Sequence, residues 1–156
     1  MTPVTIAAEL VFPSTANEIV KALKSSTIQK KGLGSIRSDI PHLPRVGAII
    51  HFDFDSATIK RESYSLLREY AIALKGGLAS DRIEIIGHTD SMGTERYNLN
   101  LSKLRAQSVK DFLVLSHSIA TDRLKVKGFG ESKPLVPNSS KARMAKNRRV
   151  EFGILK

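Results

Sequence analysis

The segment from Arg82 to Leu113 constrains the fold of this chain more than any other. Ile83, Glu84, Ile85 and Ile86 form a short, β-branched run that predicts a buried strand. Gly87 ends the run, and His88-Thr89-Asp90-Ser91-Met92-Gly93 has the composition of a turn. Thr94 suits an N-cap, and Glu95 sits favourably against the positive end of a helix running to about Leu113.

That helix has an uneven distribution of side chains. At ~100° per residue, Leu101, Leu104 and Phe112 lie within about 60° of Tyr97, and Val109 and Leu113 extend this apolar face to about 160°. Arg96, Asn100, Lys103, Gln107 and Lys110 lie opposite, as a solvated face. Asn98, Ser102 and Arg105 fall at roughly 80–140°, inside the sector that is apolar further along. An inward-leaning arginine needs a partner, because an unpaired buried charge costs several kcal/mol. The nearest upstream acid outside the helix cap is Asp90. Two arrangements satisfy this: an internal Arg105–Asp90 pair that props the turn, or two opposite charges facing a ligand that carries both signs.

At 156 residues, one domain of ordinary size is expected, with room for a short appendage. No apolar run approaches the ~20 residues of a membrane span, and no charged start followed by a long apolar stretch marks a signal peptide. With no cysteine, disulfides and thiolate metal sites are excluded. The net charge of +10, from 25 Lys+Arg against 15 Asp+Glu, suits polyanionic surroundings such as nucleic acid, anionic lipid or cell-wall polymer.

Residues 1–44 read as an N-terminal extension, and 45–156 as the main domain. Within the extension, Thr15-Ala-Asn-Glu18 has the form of a capping box opening a short helix, with Ile19, Val20 and Leu23 on one face. Lys24 to Lys31 is basic, and Gly32 to Pro44 reads as loop. The main domain opens with a strand over Val46 to Phe54, where Ile50, Phe52 and Phe54 alternate with His51, Asp53 and Asp55. A helix is expected from a Ser56 or Thr58 cap to Leu74, with Ile59, Leu66, Leu67, Tyr70 and Leu74 inward and Gly76-Gly77 as its stop. A third strand spans Arg123 to Gly130. A loop with a short helix near 139–145 follows, and a last strand over Arg149 to Leu155 alternates Val150, Phe152 and Ile154 against Glu151 and Gly153. Strands alternating with helices predict an α/β (α+β) two-layer sandwich, with a mixed four-stranded sheet and helices packed on it.

Five blocks occur in order: Phe52-Asp-Phe54-Asp-Ser-Ala, Gly87-His-Thr-Asp90-Ser-Met-Gly93, Asn98-Leu-Asn-Leu101-Ser102-Lys-Leu-Arg105-Ala106, Gly128-Phe-Gly130-Glu-Ser-Lys-Pro134 and Asn147-Arg-Arg-Val-Glu151. Together they resemble the OmpA C-terminal-like domain, shared by peptidoglycan-associated lipoproteins and flagellar stator subunits, from about Val46 to Ile154. The resemblance implies a non-catalytic domain without a cofactor, which binds peptidoglycan through the diaminopimelate of the stem peptide. It implies a periplasmic location associated with the outer membrane. Envelope proteins, or a second copy met through the N-terminal extension, are the further partners expected. The family's acid and arginine fall on Asp90 and Arg105. Thr89, Asn98 and Arg148 are further expected contacts. Asp55 stands where the family often has Asn, and a carboxylate there accepts but cannot donate.

Two other functions use the same residues. His51, Asp53, Asp55, His88 and Asp90 are the side-chain types of a metal hydrolase, although the first three are spread along one strand face. Lys141, Arg143, Lys146, Arg148 and Arg149 provide charge for nucleic acid, without interleaved stacking aromatics or a groove-reading motif. His88 is expected as a turn residue bonded to backbone, and no nucleic acid is expected as a partner.

Overall fold

The computed structural model describes residues 10–25 and 44–156. The basic stretch and loop expected between 26 and 43 lie outside the described residues.

The run at Ile83 does form the central strand, β2 (Arg82–His88). It pairs in parallel with β3 (Leu124–Gly130) on one side and antiparallel with β4 (Val150–Leu155) on the other. β1 (Arg45–Ala48) closes the sheet antiparallel to β4, giving the order β1-β4-β2-β3. The register sets Ile83 opposite Ile154, Ile85 opposite Phe152 and Gly87 opposite Val150, so the alternating apolar residues of both strands share one face. Three helices cover that face: α1 (Ala16–Ser25), α2 (Tyr64–Lys75) and α3 (Glu95–His117). Their Ile19, Leu23, Leu67, Tyr70, Leu74, Val109 and Leu113 are fully buried with Val46, Ile83, Ile85 and Phe152. The rings of Tyr70 and Phe152 stack at 4.1 Å between centroids. Each such side chain contributes about 1.5–3 kcal/mol of burial. The expected two-layer sandwich with a mixed sheet is the architecture observed.

α1 belongs to the same core. Thr15 Oγ1 accepts from the Glu18 amide, as a capping residue should, while the Glu18 carboxylate reaches back to the Ser14 amide at 2.9 Å. The Ala16 amide donates to Glu69 Oε2 of α2, and the Gly47 amide donates to Val11 O, so the segment is tied to both α2 and β1.

Two expected elements are shorter than the sequence suggests. β1 stops at Ala48 because 51–60 folds back on itself: Asp53 N donates to Thr58 O, Lys60 N donates to His51 O, and Phe52 bridges Ile59. Phe54, expected inward, lies at the tip of this turn and is 98% exposed. The same turn delays the next helix. Ser56 and Thr58 are not its caps; a single 3₁₀ turn, Arg61–Ser63, leads into α2. The short helix near 139–145 forms as α4 (Lys141–Asn147), capped by Ser140, whose Oγ accepts from Arg143 N.

α3 departs most from its sequence pattern. Its N-cap is Thr94, whose Oγ1 accepts from Tyr97 N. Its buried face is Asn98, Ser102, Ala106, Val109 and Leu113, whereas Tyr97 and Leu104 are 44% and 54% exposed. The cause lies in the strands beneath. A Cβ on Gly87 would stand 2.1 Å from Ser102 O, and one on Gly128 would stand 2.5 Å from Ser102 Oγ. The helix backbone rides almost on the strand backbone there, and only small side chains fit between. Ser102 Oγ uses the proximity, donating to Leu99 O and accepting from Gly130 N at 2.9 Å. The first half of α3 is therefore seated on its small polar stripe, and its large apolar residues are turned toward the surface.

Candidate functional site

This close seating brings the start of α3 against the end of β2, where the charged residues collect. Thr89 continues the strand geometry: its amide donates to Gly130 O at 2.8 Å, and its hydroxyl donates to Asp90 O at 2.9 Å. Asp90 Oδ1 accepts from Met92 N at 3.0 Å, closing a turn of the kind Asp favours. Asn98 holds this turn from α3, its Nδ2 donating to Met92 O at 2.8 Å and reaching Asp90 O and Glu131 Oε1 at 3.3 Å. Thr89 and Asn98, expected as ligand contacts, donate from Oγ1 and Nδ2 within the protein and so set the position of Asp90.

Asp90 is 8% exposed, and both of its carboxylate oxygens have a partner. Its partner is Arg148, whose Nη1 donates to Oδ2 across the short link from α4 to β4. The Arg148 side chain is 46% exposed. Of the two arrangements that the sequence leaves open, the direct Arg105–Asp90 pair does not form. Arg105 instead donates from Nε to Ser56 O at 3.0 Å, and its guanidinium carbon lies 4.9 Å from the centre of the Phe52 ring. Among the described residues Arg105 makes no ion pair. Burial and the nearby charge of Arg148 push its guanidinium below its ordinary pKa, with the carboxylates of Asp90 and Asp55 opposing them. Arg105 and Arg148 thus share their surroundings with the carboxylates of Asp90 and Asp55. Between the two arginines lies a narrow gap of about 10 Å³, room for about one water, lined by Phe52, Gly87, His88, Arg105, Arg148 and Arg149 and not by Asp90.

Asp55 is at the turn that Arg105 grips. It is exposed and adopts a left-handed φ of 52°, uncommon for a residue other than glycine. Phe52 and Ser56 were not singled out as functional from sequence. Their signal was present in the Phe52-Asp-Phe54-Asp-Ser-Ala block, but which of its members would meet Arg105 depends on the fold-back at 51–60.

Behind the site, the second face of the sheet carries a buried charge cluster. Arg149 donates to Glu151 Oε1 from Nη2 at 2.8 Å and from Nε at 3.0 Å, and His88 Nε2 approaches Glu151 Oε2 at 3.4 Å. His88 is a buried strand residue and not a backbone-bonded turn residue; burial lowers its pKa, and Glu151 only partly offsets that. Burial alone would raise the pKa of Glu151, but His88 and Arg149 outweigh it and hold the carboxyl at about 2. A carboxylate held below its ordinary value contributes stability above that value, and the contribution is lost as pH falls through the folded one. Acid titration should therefore show a stability loss between pH ~4.5 and ~2 that the Glu151→Gln variant lacks. Circular dichroism melts across that range test this, and identical slopes for both proteins would contradict it.

These contacts also bear on the other two functions. Among the described residues, no group of three His, Asp or Glu can hold a metal ion. His51 lies 4.0 Å from Glu62 and is exposed, whereas His88 is buried at the end of β2. Arg149 is buried against Glu151 while Lys141, Arg143 and Lys146 are exposed, so the basic run does not form one continuous surface.

Comparison with known proteins places the chain among relatives. The OmpA family matches residues 51–148. The chain is 38% identical over 112 residues to outer membrane porin F of Pseudomonas aeruginosa, covering 72% of this chain and 32% of that protein. It is thus similar to only about a third of the porin's length. Among solved structures, the peptidoglycan-associated lipoprotein from Burkholderia pseudomallei is 32% identical with a TM-score of 0.61, covering 68% of this chain and 88% of that one. The cell wall anchor of the T6SS from Pseudomonas aeruginosa is 33% identical with a TM-score of 0.57, covering 67% and 73%.

Proposed function

The chain belongs to the OmpA family, and on that premise we propose that it binds peptidoglycan without catalysis, anchoring the cell envelope to the wall from the periplasmic side of the outer membrane. The ligand group is the free end of diaminopimelate, which carries an ammonium and a carboxylate on one carbon. The observation that carries this reading is Arg105, half-buried beside Asp90 and without an anionic partner among the described residues. Its planar fork is suited to a carboxylate. Phe52 and Ser56 O fix the guanidinium, so little freedom is lost on binding.

Asp90 accepts the ligand ammonium on the oxygen that Arg148 holds in the free protein. Arg148, half in solvent, then turns its donors to the ligand carboxylate. The exchange replaces one charge-assisted contact with several, and no charge is left buried alone. Asp55, at the rim, accepts a further hydrogen bond. The similarity to a peptidoglycan-associated lipoprotein and to a cell wall anchor supports this assignment. Sedimentation with purified sacculi tests it. The protein should sediment with walls containing diaminopimelate and much less with walls containing lysine, which lacks the second carboxylate. Equal sedimentation with both would remove diaminopimelate as the recognised group, and sedimentation with neither would remove the wall.

A further inference from the structure

The apolar residues that α3 turns outward are not an isolated patch. Tyr97, Leu101 and Leu104 form one wall of an open groove of about 490 Å³, and Asp55, Ser56 and Ala57 form the other. Arg96 and Asn100 stand on the same helix at its edge. Tyr97 and Leu104 remain 44% and 54% exposed in it. The groove adjoins the candidate site at Ser56, which lines it and whose carbonyl accepts from Arg105 Nε at 3.0 Å. A ligand seated by its zwitterionic end on Asp90 and Arg105 has this groove beside it, on the far side of Ser56.

We infer that this groove is a second subsite, which takes the peptide arm attached to the diaminopimelate residue and reads a free carboxylate on it with Arg96. This rests on the function proposed above. Diaminopimelate has three methylenes between its two ends, and its far end is peptide-linked in the stem. The preceding residue in the stem is a glutamate joined through its side chain, so its own α-carboxylate is free. The groove offers matching chemistry. Arg96 is exposed and makes no ion pair among the described residues. Asp55 accepts from peptide N–H groups, and the Asn100 amide donates to a peptide carbonyl. Leu101 and Leu104 cover methyl and methylene groups. An entirely apolar partner would leave Asp55 and Arg96 unmatched at the groove's edges.

The test is calorimetric titration with the tripeptide L-alanyl-γ-D-glutamyl-diaminopimelate and with its analogue carrying a carboxamide in place of the glutamyl α-carboxylate. Wild type should bind the carboxylate form about tenfold more tightly, the value of one hydrogen bond to a charged group. Arg96→Ala should bind both forms alike, at the level of the amide. Equal binding of the two forms by wild type, or a preference that survives in Arg96→Ala, would overturn the subsite while leaving recognition of diaminopimelate in place. Failure of wild type to bind either form would remove the proposed function and this subsite with it.

Discussion

Arg105→Ala should reduce binding to diaminopimelate-containing wall by roughly ten- to a hundredfold, with the fold retained. A hydrogen bond to a charged group contributes about 1.5–3 kcal/mol net, and ~1.4 kcal/mol corresponds to a decade in affinity. The side chain is half-buried but makes one hydrogen bond among the described residues, to Ser56 O, and Asp90 keeps Arg148, so its removal leaves no buried carboxylate uncompensated. Asp90→Ala should weaken binding by a similar factor, with a different signature in stability. It frees Arg148 and takes away the acceptor for Met92 N, so its melting temperature should fall while that of Arg105→Ala stays close to wild type. Quantitative sedimentation with sacculi and thermal melts separate the two effects. If both variants sediment as wild type does, the charges serve only the turn.

The largest expected effect on stability comes from a single methyl group. Gly87→Ala should destabilise the protein by about 3 kcal/mol, the upper end of what overpacking usually costs. The added Cβ would meet the Ser102 carbonyl at 2.1 Å, and a helix backbone cannot move aside as the tip of a side chain can. For a domain of this size the loss corresponds to a fall in melting temperature of roughly 6–12 °C. Because Gly87 sits between β2 and α3, lifting the helix would also separate Asn98 from the Asp90 turn that it holds. Binding and stability should then fall together, unlike in Arg105→Ala. A Gly87→Ala protein that melts with wild type would show that the helix does not depend on backbone contact there.

What could be read from the sequence was local, and what could not was set by partners far along the chain. The isoleucines of β2, the alternation of β4 and the Thr94 cap each act within a few residues, and each appears where its pattern puts it. The rotation of α3 follows from Gly87 and Gly128 on neighbouring strands, and a helical wheel contains neither. The wheel did place Asn98, Ser102 and Arg105 on the inward side, and that anomaly marks both the glycine contact and the site. The pattern around Asp90 leaves open a direct pair with Arg105 or two charges facing a ligand; the partner that Asp90 has, Arg148, comes from 58 residues away and is out of reach of any local reading. The length of β1 was overestimated because alternation at Phe52 and Phe54 persists through a turn that folds back on itself.

On the proposed function, Asp90 and Arg105 receive the two charges of one zwitterion, with Arg148 changing partners to admit it. A crystal structure of the protein with free meso-diaminopimelate measures this directly. The expected result is a ligand carboxylate hydrogen-bonded to the Arg105 guanidinium, the ligand ammonium on Asp90, and Arg148 no longer holding that oxygen alone. An intact Asp90–Arg148 pair, with the ligand bound elsewhere or not at all, would contradict it.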